Sequence, residues 1–253
     1  MLKAERKDHA WAPSFGATFL ITPNSRIYVR YDEVKRMPSI YEDTIGYSNV
    51  TVRPLYRHKP EHSKNWEVGY VHDLRGFFPE LRSADIKLNY FHNVTRNIFD
   101  RSSDYTISQF DKRTLSGLEL QTRYDSGRIF ADLSVVYNIK NKFCDRYSAV
   151  MDYGRFTVDP NTRSFKTYPT CVNGGNENGY LKNAIAPKYS ITTNFGMRFF
   201  DEKLEIGTRW QYHSRVKDSR MRSLREAGFN IHGGNEVRWQ SVSVFDVYIN
   251  YKV

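Results

Sequence analysis

The sequence predicts an all-β protein, an antiparallel β-barrel that spans a membrane, and three observations support this. Residues 204–213 (LEIGTRWQYH) alternate apolar with strongly polar side chains, which is the two-residue period of a strand. Residues 241–253 repeat the alternation, and both segments exceed the roughly five or six residues usual in soluble sheets. No run of about 18 apolar residues exists that would form a transmembrane helix. Apolar side chains toward lipid and polar ones toward a wet lumen are typical of transmembrane β-strands.

The composition agrees with a barrel. A mean hydropathy of -0.65 is too polar for a helical membrane protein, but it is expected where every second strand residue faces water. An aromatic content of 15% fits the aromatic girdles of such barrels. The net charge of +10 is spread along strands and loops rather than clustered, so no nucleic-acid partner is expected.

About nine strands can be placed along the chain by the same alternation. They cover residues 13–21, 26–32, 65–73, 84 to as far as 99, 115–124, 128–138, 188–200, 204–213 and 241–253. The connections between them alternate between short and long, as in a meander with short periplasmic turns and long external loops. The predicted external loops lie near residues 33–64, 100–113, 139–187 and 214–240.

The two cysteines, Cys144 and Cys171, lie in the same long polar segment. In an exported protein such a pair predicts a disulfide, with two buried free thiols as the alternative. A metal site would need more ligands than this pair, and no CxxC spacing is present, so no metal site is predicted.

Both ends of the sequence predict an incomplete barrel. The first residues, MLKAERKDHAWAPSF, lack the apolar region of a signal peptide. Nine is an odd number of strands, and the sequence stops within the last one, whereas bacterial single-chain barrels have even strand numbers. We therefore expect residues 1–253 to be a single incomplete β-barrel domain that does not close into a folded barrel alone, because lipid cannot satisfy open strand edges.

Residues 36–42 (RMPSIYE) and 60–69 (PEHSKNWEVG) resemble two sequence boxes of TonB-dependent outer-membrane receptors, specifically the haem and haemoglobin receptor branch. In that family a FRAP-like box with a following acidic residue opens a long external loop, and a segment like PE.S.N.E.G returns the chain to the membrane. Residues 90–98 (YFHNVTRNI) and 115–125 (LSGLELQTRYD) are similar to the family's next strands. The matching positions are Arg36, Pro38, Glu42, Pro60, Glu61, Ser63, Glu67 and Gly69.

The resemblance implies a barrel of about 22 strands in the bacterial outer membrane, whose plug domain is absent from this sequence. It implies that external loops bind haem or haemoglobin and that iron import is energised by the TonB complex, which engages a missing N-terminal part. Haem is then a transported ligand rather than an intrinsic cofactor, and outer-membrane lipid surrounds the barrel. The family's haem-contacting histidine lies between the two boxes, which indicates His58, with His62 as a second candidate.

Other functions remain open at this point: a ferric-siderophore receptor, a passive porin, or a barrel enzyme such as a lipase or protease. No catalytic residue is predicted, because the charged residues of the polar face are expected to form a cross-strand network. These residues are Glu119, Arg123, Asp132, Arg198, Glu205 and Arg209. Aromatic loop residues are candidate partner contacts; they are Tyr41, Tyr47, Tyr56, Tyr147, Tyr153 and Phe156.

Overall fold

A computed structural model of the chain describes residues 7, 9–39, 42, 58–101, 107–144, 170–173, 186–217 and 238–252. The long strands are β1 (Ser14–Thr22), β2 (Ser25–Arg36), β3 (Glu61–Asp73), β4 (Ser83–Arg101), β5 (Ile107–Asp125), β6 (Ile129–Cys144), β8 (Tyr189–Phe199), β9 (Leu204–His213) and β12 (Val242–Tyr251). Three short strands are β7 (Cys171–Asn173), β10 (Val216–Lys217) and β11 (Arg238–Trp239), and a one-turn 3-10 helix covers Leu74–Gly76. Within these described ranges, no helix has the length and apolar character needed to cross a membrane.

The nine long strands form one antiparallel sheet in which each strand pairs with its neighbour in the chain. The order is β1-β2-β3-β4-β5-β6-β8-β9-β12, with β7 added beside β6, and β10 and β11 form a separate pair. In the described part of the chain, β1 and β12 are therefore the edges of the sheet. The all-β, antiparallel prediction is confirmed.

One face of the sheet, here called the outward face, carries exposed apolar and aromatic side chains. The rings of Tyr31 and Trp66 lie 4.5 Å apart, and Phe15 packs against Tyr31 at 5.0 Å. Near the far edge, Phe245 and Val247 are 61% and 68% exposed. An apolar surface of this extent is not stable in water, but it suits contact with lipid.

The opposite, inward face is polar and lines a cavity of about 710 Å³ between β4 and β12. Four glycines on this face lie directly opposite aromatic residues of the neighbouring strand. A Cβ atom on Gly69 would lie 2.4 Å from the Tyr28 ring, so the ring covers the glycine closely. Aromatic rings that cover glycines restore packing in a sheet and keep the wall thin. The pairs are Tyr28 with Gly69, Phe91 with Gly117, Phe130 with Gly196, and Tyr248 with Gly207.

Most predicted strands are correct within a few residues, but the predicted loop at 100–113 is wrong. β4 continues to Arg101 and β5 already begins at Ile107, so only residues 102–106 connect them. β2, β3 and β6 also extend beyond their predicted bounds, at the same end of the sheet as the 102–106 connection. The hydrogen-bonded ladder continues there, but lipid no longer contacts one face, and so the apolar alternation that marks a strand disappears.

The connections are sorted between the two ends of the sheet. At one end, here called the turn end, the connections are short and cover residues 23–24, 74–82, 126–128 and 200–203. At the other, the loop end, residues 37–60, 145–188 and 214–241 connect the long strands, with β7, β10 and β11 inside them. The predicted alternation is confirmed except at 102–106.

The predicted disulfide between Cys144 and Cys171 is present. It joins the end of β6 to β7, where the two cysteines lie opposite each other in the ladder. The bond therefore fixes a short strand of the 145–188 connection to the loop end of the main sheet.

Candidate ligand-binding site at the loop end

Arg36, the last residue of β2, connects the two sequence boxes. Its Nε donates to Glu61 Oε2 at 2.6 Å, and its two terminal nitrogens donate to the carboxylate of Glu42 at 2.8 and 3.0 Å. The backbone N–H of Ser39 donates to Glu42 Oε2 at 2.7 Å, which holds that carboxylate in place. A guanidinium group can serve two carboxylates because its donors form a rigid planar fork. The acidic residue of the first box and the first acidic residue of the second box thus meet at one arginine.

The electrostatics of this cluster favour its charged form. The hydrogen bonds that Arg36 donates to Glu61 and to Glu42 raise the pKa of Arg36 above its ordinary value, and the bond to Glu61 has the larger effect. Burial alone would raise the pKa of Glu42, but the bonds from Arg36 and from Ser39 outweigh it, and the pKa is lowered overall. The cluster therefore stays ionised at neutral pH.

Glu61 extends the cluster to β4. Its second carboxylate oxygen accepts the backbone N–H of Phe99 at 2.7 Å. The Arg36 guanidinium lies over the Phe99 ring at 4.9 Å, and Phe99 itself is only 9% exposed. A cation above a largely buried ring adds a favourable cation–π contact to the ion pairs.

The backbone of the segment before β3 is bonded by side chains of β4 and β5. The side-chain amide of Gln109 accepts the N–H of Lys59 at 2.9 Å and donates to the carbonyl of Lys59. The same amide donates to the carbonyl of Asn97 at 2.9 Å, and the side chain of Asn97 donates to the carbonyl of Pro60 at 3.2 Å. Gln109 thus imitates a strand neighbour and fixes residues 59–60 against the sheet.

His58 lies beside this cluster. Its ring meets the Phe99 ring edge to face at 5.3 Å, and the side chain is half-buried. Phe99 shares the inward face with Arg36 and Glu61, as the strand registers require. His58 is therefore held at the mouth of the polar face, at the loop end, next to a cation and an aromatic ring.

The second box owes its spacing to the strand period. Its residues at every second position, from Glu61 to Gly69, all face inward. The Oγ of Ser63 lies 2.7 Å from Thr95 Oγ1, and the Asn65 amide donates to Asp32 Oδ2 at 2.8 Å. Glu67 lies opposite Arg30 in the ladder. The box is thus a cross-strand row of inward-facing partners that continues the Arg36 cluster toward the turn end.

His62 belongs to the opposite face. It alternates with Glu61 and Ser63, and its Nε2 is bonded to Glu33 Oε2. Glu33 also receives the Tyr31 hydroxyl and lies 3.5 Å from the Lys64 ammonium. The structure therefore does not bring the two candidate histidines together: His58 lies at the inward mouth and His62 outside the wall.

Deeper on the inward face, four of the six residues expected in a cross-strand charge network form ion pairs, the main group being around Arg198. Its guanidinium bonds Glu205 at 3.0 Å and both oxygens of Asp125 at 3.0 Å, and it lies over the Phe130 ring at 4.5 Å. Arg123 and Asp132 approach to 3.7 Å. These contacts join β5, β6, β8 and β9, which is a structural rather than a catalytic arrangement.

The family model described as "TonB dependent receptor-like, beta-barrel" matches residues 3–253. The chain belongs to the TonB-dependent receptor family. Barrels of this family lie in the bacterial outer membrane, so this is an outer-membrane protein. Its relatives are receptors rather than enzymes, which confirms the prediction that the chain is not an enzyme.

Two curated relatives of this TonB-dependent receptor chain cover different shares of it. The hemophilin receptor of Acinetobacter baumannii is 41% identical over 98% of the chain. A probable TonB-dependent receptor of Haemophilus influenzae is 27% identical over 75%. The chain spans only 24% and 22% of the lengths of these relatives.

Solved structures share the fold. The FrpB iron transporter of Neisseria meningitidis aligns with 95% of this chain and 32% of its own, with a TM-score of 0.57 and 17% identity. The siderophore receptor PirA of Acinetobacter baumannii aligns with 96% and 35%, with a TM-score of 0.59 and 15% identity. At these identities the likeness concerns the fold alone.

Sequence reasoning identified Arg36, Glu42 and Glu61 but missed Phe99 and Gln109. The partners of these two residues lie about forty to fifty positions away in the chain, and no local pattern marks them. The candidate aromatic contacts in the loops lie outside the described residues; they are Tyr41, Tyr47, Tyr56, Tyr147, Tyr153 and Phe156.

Proposed function

We propose that the receptor to which this chain belongs takes up haem iron, either as haem or from a haem-carrying protein, with energy supplied through TonB. The observation that carries the proposal is the half-buried His58, placed at the inward mouth against Phe99 and the Arg36 cluster. A neutral imidazole is a common axial ligand of haem iron, and an adjacent ring offers a flat apolar contact to a porphyrin.

The relatives support this proposal over a siderophore ligand. The relative at 41% identity carries the name hemophilin receptor, whereas the siderophore receptor PirA is similar in fold alone. We also propose that residues 1–253 form one continuous barrel region, since the family model matches 3–253 without a break and each long strand pairs with the next.

The test compares substitutions of the two histidines in the full-length receptor. His58→Ala should weaken haem binding by at least about tenfold, measured from the Soret absorbance of detergent-solubilised receptor, because an axial bond is lost. His62→Ala is the matched control and should leave haem affinity unchanged, because His62 faces outward against Glu33.

If the unaltered receptor and His58→Ala bind haem with equal affinity, His58 is not a haem ligand. A receptor that binds no haem but supports growth on a ferric siderophore would overturn the haem proposal as a whole.

A further inference from the structure

One cross-strand pair at the loop end contacts both the ring of His58 and the backbone beside it. Phe99 of β4 and Gln109 of β5 lie directly opposite each other in the ladder. The Phe99 ring meets the His58 imidazole at 5.3 Å with an interplanar angle of 77°. Gln109 bonds the backbone of Lys59, the next residue in the chain. The imidazole is thus held through its ring by one strand and through its main chain by the next strand.

The side-chain amide of Gln109 uses both its oxygen and its nitrogen on this segment. The oxygen accepts the N–H of Lys59 at 2.9 Å, and the nitrogen donates to the carbonyls of Lys59 and Asn97. A primary amide has two N–H donors, so both are committed here. The Lys59 N–H belongs to the planar peptide unit that also contains the Cα of His58. Gln109 therefore fixes the plane from which the His58 side chain starts.

Asn97 and Pro60 restrict the next peptide units. The Asn97 side chain donates to the Pro60 carbonyl at 3.2 Å, and the proline ring limits the backbone of Pro60 and of Lys59. Asn97 itself has a φ of 54°, a left-handed conformation that asparagine tolerates better than most residues. Such conformations recur at ligand clamps, where surrounding contacts maintain them. Three successive peptide units, from His58 to Glu61, are thus bonded by side chains of β4 and β5.

The strand ladder does not supply this order. Pairing of β3 with β4 ends at His62 and Arg96, so residues 58–60 lie beyond the ladder. Each residue that is fixed outside regular structure costs conformational entropy, which specific contacts must offset. Polar side chains provide those contacts here, and they act on the residues beside His58.

We infer that Gln109 is a positioning residue that, together with Phe99, holds His58 ready to bind haem iron before haem arrives. The inference rests on the haem-binding role proposed for His58. Groups behind a metal ligand set its direction, and replacing them typically weakens metal binding by about ten- to hundredfold. A ligand whose backbone is already fixed also loses less freedom on binding, and so its affinity is higher.

The test titrates the full-length receptor in detergent with ferric haem and follows the Soret band. Gln109→Ala should weaken haem binding by about tenfold, the lower end of the effect of such supporting groups. Gln109→Met keeps most of the side-chain volume but none of the three bonds, and it should behave like Gln109→Ala. Unchanged haem affinity in both Gln109 variants would overturn the inference.

The matched control is Gln121→Ala. Gln121 lies on the same strand and face as Gln109, nearer the turn end, and its amide donates to Glu119 at 2.6 Å. Its replacement should leave haem affinity unchanged. An equal loss in Gln121→Ala and Gln109→Ala would show that the position beside His58 has no special role.

Free imidazole separates positioning from a general structural role. In His58→Gly the side chain is removed, and added imidazole can bind the iron without attachment to the chain. Adding Gln109→Ala to this variant should change haem affinity in imidazole by less than about twofold, because no attached side chain remains to be positioned. A further loss as large as that in the unaltered background would assign Gln109 a structural role instead.

A last readout needs no haem. Gln109→Ala should speed amide exchange of Lys59 by at least about fivefold, because its N–H loses its acceptor. Unchanged exchange would contradict the clamp. If His58→Ala binds haem like the unaltered receptor, the haem-binding role of His58 fails. Weak binding by His58→Ala with normal binding by Gln109→Ala would contradict only the role of Gln109.

Discussion

The two ends of the sheet use the same strands in different ways. At the turn end, charged side chains face inward, as in the Arg198 network, while the outward face is apolar and short turns close the ladder. At the loop end, both faces carry charge: the Arg36 cluster lies inside, and Arg96 and Lys112 lie opposite each other outside. Lipid contact thus constrains the sequence of the turn-end half, and beyond it each face is free to carry charge.

The largest effect is expected where the inward wall has no room. A Cβ atom on Gly196 would lie 2.4 Å from the carbonyl oxygen of Ile206 and 2.6 Å from the Phe130 ring. Gly196→Val should therefore destabilise the receptor by about 3 kcal/mol or more, as overpacking that displaces backbone does. The measurement is the fraction that migrates as folded barrel in unboiled gel samples. At Gly16 the nearest atom would be 3.4 Å away, so Gly16→Ala serves as the tolerated control.

The disulfide tests whether the loop end is stabilised locally. Replacing both Cys144 and Cys171 by Ser should cost about 3 kcal/mol, given the length of chain that the bond closes. Protease sensitivity of the 145–188 connection should rise, while the turn end stays resistant. Reductant should reproduce this effect in the unaltered receptor and do nothing to the double variant; a uniform loss of stability would contradict the local role.

The Arg36 cluster should contribute less, because Arg36 is partly exposed. Arg36→Ala leaves Glu42 and Glu61 without their shared cation and should cost about 1 kcal/mol. The loss should appear as faster amide exchange at His58, Lys59 and Glu61. Arg30→Ala is a matched control on the same strand and face; the Arg30 guanidinium lies 3.2 Å from the Asp32 carboxylate. An equal effect of the two variants would show that Arg36 has no special role in holding the loop.

The smallest effect concerns pH. The pKa of Glu42 is lowered from its ordinary value of 4.5, so its contribution is fully present above pH 4.5 and is lost as pH falls through the lower, folded-state pKa. Amide exchange at Ser39, whose N–H bonds Glu42, should quicken below pH 4.5 relative to a Glu42→Gln variant measured at the same pH. An unchanged ratio between the two forms would show that the Glu42 carboxylate does not hold Ser39.

The sequence predicted the membrane-spanning part of the fold better than the loop end. Strands β8, β9 and β12 were placed within one or two residues, because each lies largely in the lipid-contacting region, where alternation is strict. The first half of β5 was missed, because Ile107 to Thr114 shows no apolar stripe. Within the candidate site, the residues of the two boxes were identified, whereas Phe99 and Gln109 depend on contacts between distant segments.

The sequence by itself determined the strand period, the antiparallel meander and the set of residues that face lipid, because each follows from neighbours in the chain. Only the tertiary structure decided which of these residues meet. It joined Arg36 to Glu61 and to Phe99, placed His58 and His62 on opposite faces of the sheet, and aligned Arg96 with Lys112. These pairings depend on strand register, which hydrogen bonds between segments fix and which no single segment contains.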